Sequence, residues 1–374
     1  MIQREESEAI IVAASLLTVL VCLPFPWIRS PALRRAYSLF FGVSIAFYTY
    51  GVPTFLRVGY IFTGYVQLRF LPRQTSAWTV PFVALVLLTI RSISQTLNGT
   101  AADLSVKTAI MIDFIRLAQV AANMADADAI RRKDDALVTT RERYFAEPLK
   151  ECPTLLEFCD FFFFCGSQVV GPPVEYRDFV DFINLKGVYG QMKPGSHIGP
   201  AMKRFGQTTL MLILTVVLGI LVDKKELFRP EFMERSFIGR NLYMYAVLSI
   251  TISTLMVGFM FAETFMISCG QGYSVNKETK EVNYNSIRAA EVIKFNTSTS
   301  VLESTHTWNM RSHHYLKYYV SLRLKDRTLP RNVVQFKPLL MTYIFSAVWH
   351  GPDPGYYFFF VNLGLADIFA RIFA

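Results

Sequence analysis

The sequence predicts an all-α, polytopic transmembrane protein, and three observations carry that prediction. Only 18% of its 374 residues are charged while 52% are apolar; a soluble domain carries about 25% charged residues. The mean hydropathy is +0.31. The charge deficit is concentrated in long uncharged runs, each near the roughly 20 residues a helix needs to cross a hydrocarbon core.

The first run, Ala9–Ile28, is preceded by Glu5, Glu6 and Glu8 and leads into "PFPWIRSP". A cleaved leader would show a basic start and a small-residue cleavage site, so this is read as a retained span. Arg29, Arg34 and Arg35 follow it, which places that loop in the cytosol and the N-terminus on the far side. Ala36–Leu56 is the second full run. Gln74–Ile90, Leu104–Ala122 and Leu155–Val174 are shorter or interrupted, Phe205–Val222 and Asn241–Ala262 are again charge-free, and Pro338–Ala366 closes the series. The count is seven to nine membrane elements in a single membrane-embedded domain over residues 1–374.

Two connections are long and strongly charged. Asn123–Glu151 has opposite charges three and four residues apart, a helical pattern. Lys277–Lys294 begins as a polar turn and ends as an amphipathic helix. "VVGPPVEYRDF" and "GQMKPGSHIGP" are Gly- and Pro-rich breaks, tolerated at membrane depth only where backbone is packed in protein or lines a cavity.

Several function classes are excluded. The net charge of +9 is dispersed among connections that also hold acidic residues, which suits interface anchoring and not nucleic-acid binding. The five cysteines form no C-x-x-C pair and sit in or beside apolar sequence, so they read as small buried hydrophobes. Five histidines, three of them in "HTWNMRSHH", have neither the number nor the spacing of a membrane di-iron centre. "PGSHIG" lacks the flanking glycines of a nucleophile elbow.

Two segments could carry chemistry. "STHTWNMRSHHYLKYYVSLRL" combines Asn309, a Tyr315, Tyr318, Tyr319, Leu322 face and a basic remainder with Arg311, Lys317 and Arg323. Composition alone makes it an amphipathic helix at the bilayer interface. "SAVWHGPDPGYYFFF" sets His350 in a stretch that is uncharged from Pro338 to Pro352. A histidine there is either hydrogen-bonded to a neighbouring helix or functional, since ionisable groups at membrane depth tend to mark sites.

Together the two segments resemble the membrane-bound O-acyltransferase superfamily, specifically its lysophospholipid acyltransferase branch. That branch shows W-N-x-x-T-x-x-W-L-K-x-Y-V-Y-x-R followed by S-A-x-W-H-G-x-x-P-G-Y-Y. Trp308, Asn309, Leu316, Lys317, Tyr319, Val320 and Arg323 fall on the first pattern, and Ser346, Ala347, Trp349, His350, Gly351, Pro354, Gly355, Tyr356 and Tyr357 on the second. "GPPVEYRDFVDF" is similar to the branch's G-P-x-x-E-Y-x-D-F, and "PFPWIRSPALRRAYSLFFG" to its N-terminal start. Ser312 stands for the usual Thr and Tyr315 for a Trp. Members usually continue through further helices, so the resemblance implies a chain truncated at its C-terminus.

The resemblance implies a catalytic chamber in the membrane and acyl transfer from acyl-CoA to a lysophospholipid hydroxyl, with no cofactor beyond that co-substrate. His350 would be the base and Asn309 the oxyanion donor or orienting group. Trp308, Ser312, Lys317, Arg323, Trp349, Glu175, Tyr176, Arg177 and Asp178 would bind substrate, with Lys317 and Arg323 attracting the phosphates of CoA. The segment "VEYRDF" is either a loop that salt-bridges itself or a headgroup contact in which Arg177 meets the phosphate. Expected partners are acyl-CoA, a lysophospholipid and the bilayer, with a second copy of the chain left open. The expected location is the endoplasmic reticulum membrane. Two alternatives stand: acylation of a sterol, diacylglycerol or protein, against which "STHTWN" lacks the F-Y-x-D-W-W-N-like motif, and a non-catalytic transporter, which would spread polar residues through several spans.

Overall fold

The computed structural model describes residues 2–97, 104–132, 149–276, 278–326, 329 and 335–373. Helix α1 (Ile2–Cys22) runs into a single 3-10 turn, Phe25–Trp27. Helix α2 (Pro31–Tyr50) starts with proline in its first turn, where the missing N–H costs nothing, and stops at Gly51, whose φ of 59° is left-handed. The uncharged run Ala36–Leu56 is therefore two helices, because Gly51 and Pro53 break it before α3 (Thr54–Phe70). Helix α4 (Arg73–Leu97) and helix α5 (Leu104–Arg131) pack as a pair. The charged connection after Asn123 is first the end of α5; the rest of its helical pattern, residues 133–148, lies outside the described residues.

Leu155–Val174 is not a span. Only α6 (Leu155–Phe162) is α-helical, opened by a capping box in which Thr154 and Glu157 satisfy each other's backbone donors. The chain then folds back through an irregular, buried stretch to α7 (Tyr176–Ile183). Aromatic packing replaces the helix: Phe164 meets Phe25 edge-on at 5.7 Å and Phe179 at 5.5 Å, while Phe161 meets Tyr176 at 5.1 Å. Helix α2 reaches this core through Gly42, where a Cβ would collide with the Phe163 carbonyl.

Helix α8 (Ile198–Leu221) and helix α9 (Phe237–Ser268) form the next pair. A two-residue hairpin, β1 (Ser274–Val275) with β2 (Val282–Asn283), pairs Ser274 with Asn283. The amphipathic helix expected before Lys294 is only the short α10 (Val292–Thr297). Then come α11 (Val301–Thr307), α12 (Met310–Tyr315) with a π-helical turn at Leu316–Ser321, α13 (Phe336–His350) and α14 (Pro354–Phe373). Among the described residues, four helices are long and apolar enough to cross a membrane: Ala9–Trp27, Arg73–Gln95, Ile198–Leu221 and Phe237–Ser268.

Charge is not confined to the connections. Arg34, Arg57, Asp113 and Arg116 are fully or almost fully buried. Arg57 Nε and Nη2 donate to Asp113 at 2.5 and 3.1 Å, and Nη1 donates to Gln168 at 2.6 Å. A buried ion is tolerated only with such partners, so these charges knit α3, α5 and the folded-back stretch together. They are packed into protein instead of lining a polar path, which disfavours the transporter alternative.

Candidate active site

The Asn309 turn is built from both sides. Ser300 caps α11 by accepting from the Glu303 N–H at 3.1 Å, and the helix ends at Trp308, whose indole is packed by Phe259 and Phe295, each 5.3 Å away. Asn309 then takes a left-handed conformation, φ 36° and ψ 53°, which asparagine adopts more readily than most residues. Its carboxamide oxygen accepts from the Ser312 N–H at 3.4 Å. Its Nδ2 donates to nothing among the described residues, so the donor half of the amide is unspent.

A buried carboxylate braces that turn. Glu263 of α9 pairs with Arg204 of α8 at 2.6 Å and accepts the Ala289 and Ala290 N–H groups at 2.6 and 3.0 Å. The Ala289 carbonyl in turn accepts the Met310 N–H at 2.7 Å. The uncharged run read as Asn241–Ala262 stops one residue short of Glu263, which sequence reasoning passed over although a lone acid beside an apolar run was the available signal.

Beyond Asn309, the tyrosine face of the basic segment packs inside the protein. Tyr315 and Tyr319 are buried and stack at 5.5 Å, and Tyr315 packs against Phe114 of α5 and Phe345 of α13. Tyr319 donates to Glu175 at 2.8 Å and accepts from Asn123 at 2.9 Å. Arg323 grips Asp126 with two bonds of 3.0 and 2.6 Å, so its guanidinium is committed to α5 and is not a free site for CoA phosphates. Lys317 stays exposed, its ammonium over the Tyr318 ring at 5.3 Å.

His350 is the last residue of α13. Gly351, at φ 121°, ends the helix, and the chain turns through Pro352 and Asp353 into α14. The imidazole is half-buried among three rings: Trp349 at 5.1 Å, Tyr356 at 5.0 Å and Phe360 at 5.1 Å. Neither ring nitrogen makes a hydrogen bond among the described residues. The histidine held by a neighbouring helix is thus not what the structure shows. Trp349 does that work instead, its indole N–H donating to the Met111 carbonyl at 3.2 Å and fixing α13 on α5. No hydrogen bond joins Asn309 to His350 among the described residues; their elements meet through Tyr315 and Phe345.

The "VEYRDF" residues are mostly spent on packing. Glu175 serves Tyr319, Gln119 and Asn123, and Tyr176 is buried against Phe161. Asp178 accepts from the Tyr189 hydroxyl at 3.0 and 3.1 Å; burial pushes its carboxyl up from the usual range, against the pull of that hydroxyl. Arg177 pairs with Asp181 at 3.5 Å on an open face of α7.

The model of the membrane-bound O-acyltransferase family matches residues 37–372. A lysophospholipid acyltransferase of Saccharomyces cerevisiae is 23% identical over 373 residues, covering 92% of this chain and 59% of that protein. One from Schizosaccharomyces pombe is 26% identical over 60% of this chain and 44% of its own length. The human membrane-bound glycerophospholipid O-acyltransferase 1 is 24% identical over 65% and 50%. The chain spans about half the length of the relatives it matches. With a family match over nearly all of its length and both motif histidine and asparagine in place, the chain belongs to the membrane-bound O-acyltransferase family.

Proposed function

We propose that this chain carries the acyl-transfer site of a lysophospholipid acyltransferase, moving a fatty acyl group from acyl-CoA to the free hydroxyl of a lysophospholipid. One observation carries the reading. The two motif residues are the ones whose reactive atoms are unspent, Asn309 Nδ2 and the His350 ring nitrogens, while their neighbours are bonded into the scaffold.

The chemistry follows from those atoms. A neutral His350 nitrogen takes the proton of the acceptor hydroxyl as its oxygen attacks the thioester carbonyl carbon. General base work of this kind contributes about 10²–10⁴-fold. The carbonyl oxygen gains negative charge in the tetrahedral intermediate, and Asn309 Nδ2 donates to it. The carbon–sulfur bond then breaks, CoA leaves as the thiolate, and the imidazolium returns the proton to sulfur. The reaction changes no oxidation state and calls on no redox group or metal. The half-buried site, ringed by Trp349, Tyr356 and Phe360, keeps competing water from the acyl group. The same reading puts the protein in the endoplasmic reticulum membrane, with CoA arriving from the cytosol.

The test is acyl transfer by microsomes that express the chain, against a panel of lysophospholipids with labelled acyl-CoA, and with a sterol and a diacylglycerol as competing acceptors. Labelled phospholipid that His350→Ala microsomes do not make is the expected result. A preference for sterol or diacylglycerol over every lysophospholipid overturns the acceptor.

A further inference from the structure

We propose that Lys107 is the anchor for the acceptor's phosphate, an inference that rests on the acyl-transfer reading above. Lys107 lies on α5, in a helix that carries none of the family motifs quoted above. Its ammonium reaches the break that follows His350: a Cβ on Gly351 would lie 3.2 Å from Lys107 Nζ and 3.4 Å from the Ser92 hydroxyl of α4. The ammonium also stands 5.7 Å from the centre of the Tyr356 ring, and that ring is 5.0 Å from the His350 imidazole. Four helices thus bring an ammonium, a hydroxyl, an aromatic face and the imidazole to one place.

The cation has no ion-pair or hydrogen-bonding partner there among the described residues. Lys107 is half-buried. Asp353, the one nearby acid among the described residues, is exposed, with Oδ1 accepting the Gly355 N–H at 2.8 Å. The contrast with Arg57 and Arg323, each gripped by an aspartate, is the point. A cation withdrawn from water without a counter-charge is unfavourable, and an anionic ligand would offset that.

Both substrates carry phosphate, but covalent geometry decides between them. In a 1-acyl lysophospholipid the phosphodiester is on the glycerol carbon next to the one that bears the free hydroxyl. In acyl-CoA the whole pantetheine arm separates the thioester from the pyrophosphate. A cation beside the base that receives the hydroxyl proton can therefore reach the acceptor's phosphate and not the donor's. Gly351 is what allows the approach, since any side chain there would press on the ammonium and would strain the backbone.

The experiment uses microsomes expressing the full chain, with oleoyl-CoA as donor and two acceptors that differ in the phosphate, 1-oleoyl lysophosphatidylcholine and 1-oleoylglycerol. Lys107→Met at matched protein level should raise KM for the lysophospholipid by about tenfold or more, the scale of a hydrogen bond to a charged group, and leave KM for oleoyl-CoA unchanged. The preference for lysophosphatidylcholine over oleoylglycerol should collapse with it, and Lys107→Arg should restore most of both. If Lys107→Met does not accumulate, Lys107→Gln carries the same comparison. An equal loss with both acceptors, or a rise in KM for oleoyl-CoA, overturns the proposal. Retention of tritiated lysophosphatidylcholine by purified wild type and variant gives a readout apart from turnover, and equal retention also overturns it. Wild-type microsomes that acylate neither acceptor would instead sink the acyltransferase reading itself.

Discussion

The Tyr319 hydroxyl donates to Glu175 at 2.8 Å, joining residues 144 positions apart in the chain. This bond ties the Gly-Pro-broken stretch before α7 to the helix that follows Asn309, and Asn123 of α5 closes the triangle by donating to both. Motifs that looked like separate substrate contacts in the sequence are one brace.

Tyr319→Phe removes that donor and keeps the ring stacked on Tyr315. A hydrogen bond to a charged group contributes about 1.5–3 kcal/mol, so the purified variant should melt at lower temperature while its KM for either substrate stays close to wild type. A selective change in KM with unaltered melting would mean that Tyr319 touches substrate.

Asp113→Ala should be far more damaging. It leaves Arg57 as an uncompensated charge in the core, and breaking such a pair costs roughly 3–5 kcal/mol. The variant should be depleted from membranes, and replacing Arg57 by leucine in the same chain should recover part of its level. Normal abundance of Asp113→Ala alone would show that the pair is not structural.

The membrane class and the His350 break were legible in the sequence because both rest on local patterns: charge-free length for the first, a glycine and two prolines beside a lone imidazole for the second. Four features were not. The run Ala36–Leu56 gave no sign in its hydropathy that Gly51 would split it. Leu155–Val174 is apolar enough to pass for a span, yet its phenylalanines pack on Phe25, Phe179 and Phe182 from other segments, a tertiary effect that no window of sequence contains. Lys107 was passed over within Leu104–Ala122, a stretch read only as shorter or interrupted; only the packing of α5 against the α13–α14 junction puts it beside His350. The left-handed Asn309 was likewise hidden, since the carbonyl that fixes it belongs to Ala289.

The Asn309 amide separates two roles for one residue. Asn309→Ala should lower kcat by about 10²–10³-fold, the loss typical of one oxyanion donor. Asn309→Asp keeps the oxygen that accepts from Ser312 but turns the free donor into an anion facing developing negative charge, so it should be no better than alanine. An aspartate variant that retains turnover would leave Asn309 an orienting role only.

Arg177 offers the sharpest contrast with Lys107. Both are cations that a lysophospholipid phosphate would attract, but Arg177 is on an open face of α7 and already paired with Asp181 one turn on. A partly exposed pair of this kind contributes about 0–1 kcal/mol, so Arg177→Ala should leave protein level and melting almost unchanged. Its neighbours are committed as well: Glu175 to Tyr319 and Asp178 to Tyr189. That leaves Arg177 as the one "VEYRDF" side chain free to meet a ligand, and only from the solvent or headgroup side. If the phosphate is held beside the base, as the placement of Lys107 requires, Arg177→Ala will change neither KM, whereas Lys107→Met will raise that for the lysophospholipid alone. Measuring both constants on matched amounts of folded protein decides it. A selective rise in the lysophospholipid KM for Arg177→Ala, with Lys107→Met unaffected, would move the headgroup site to α7.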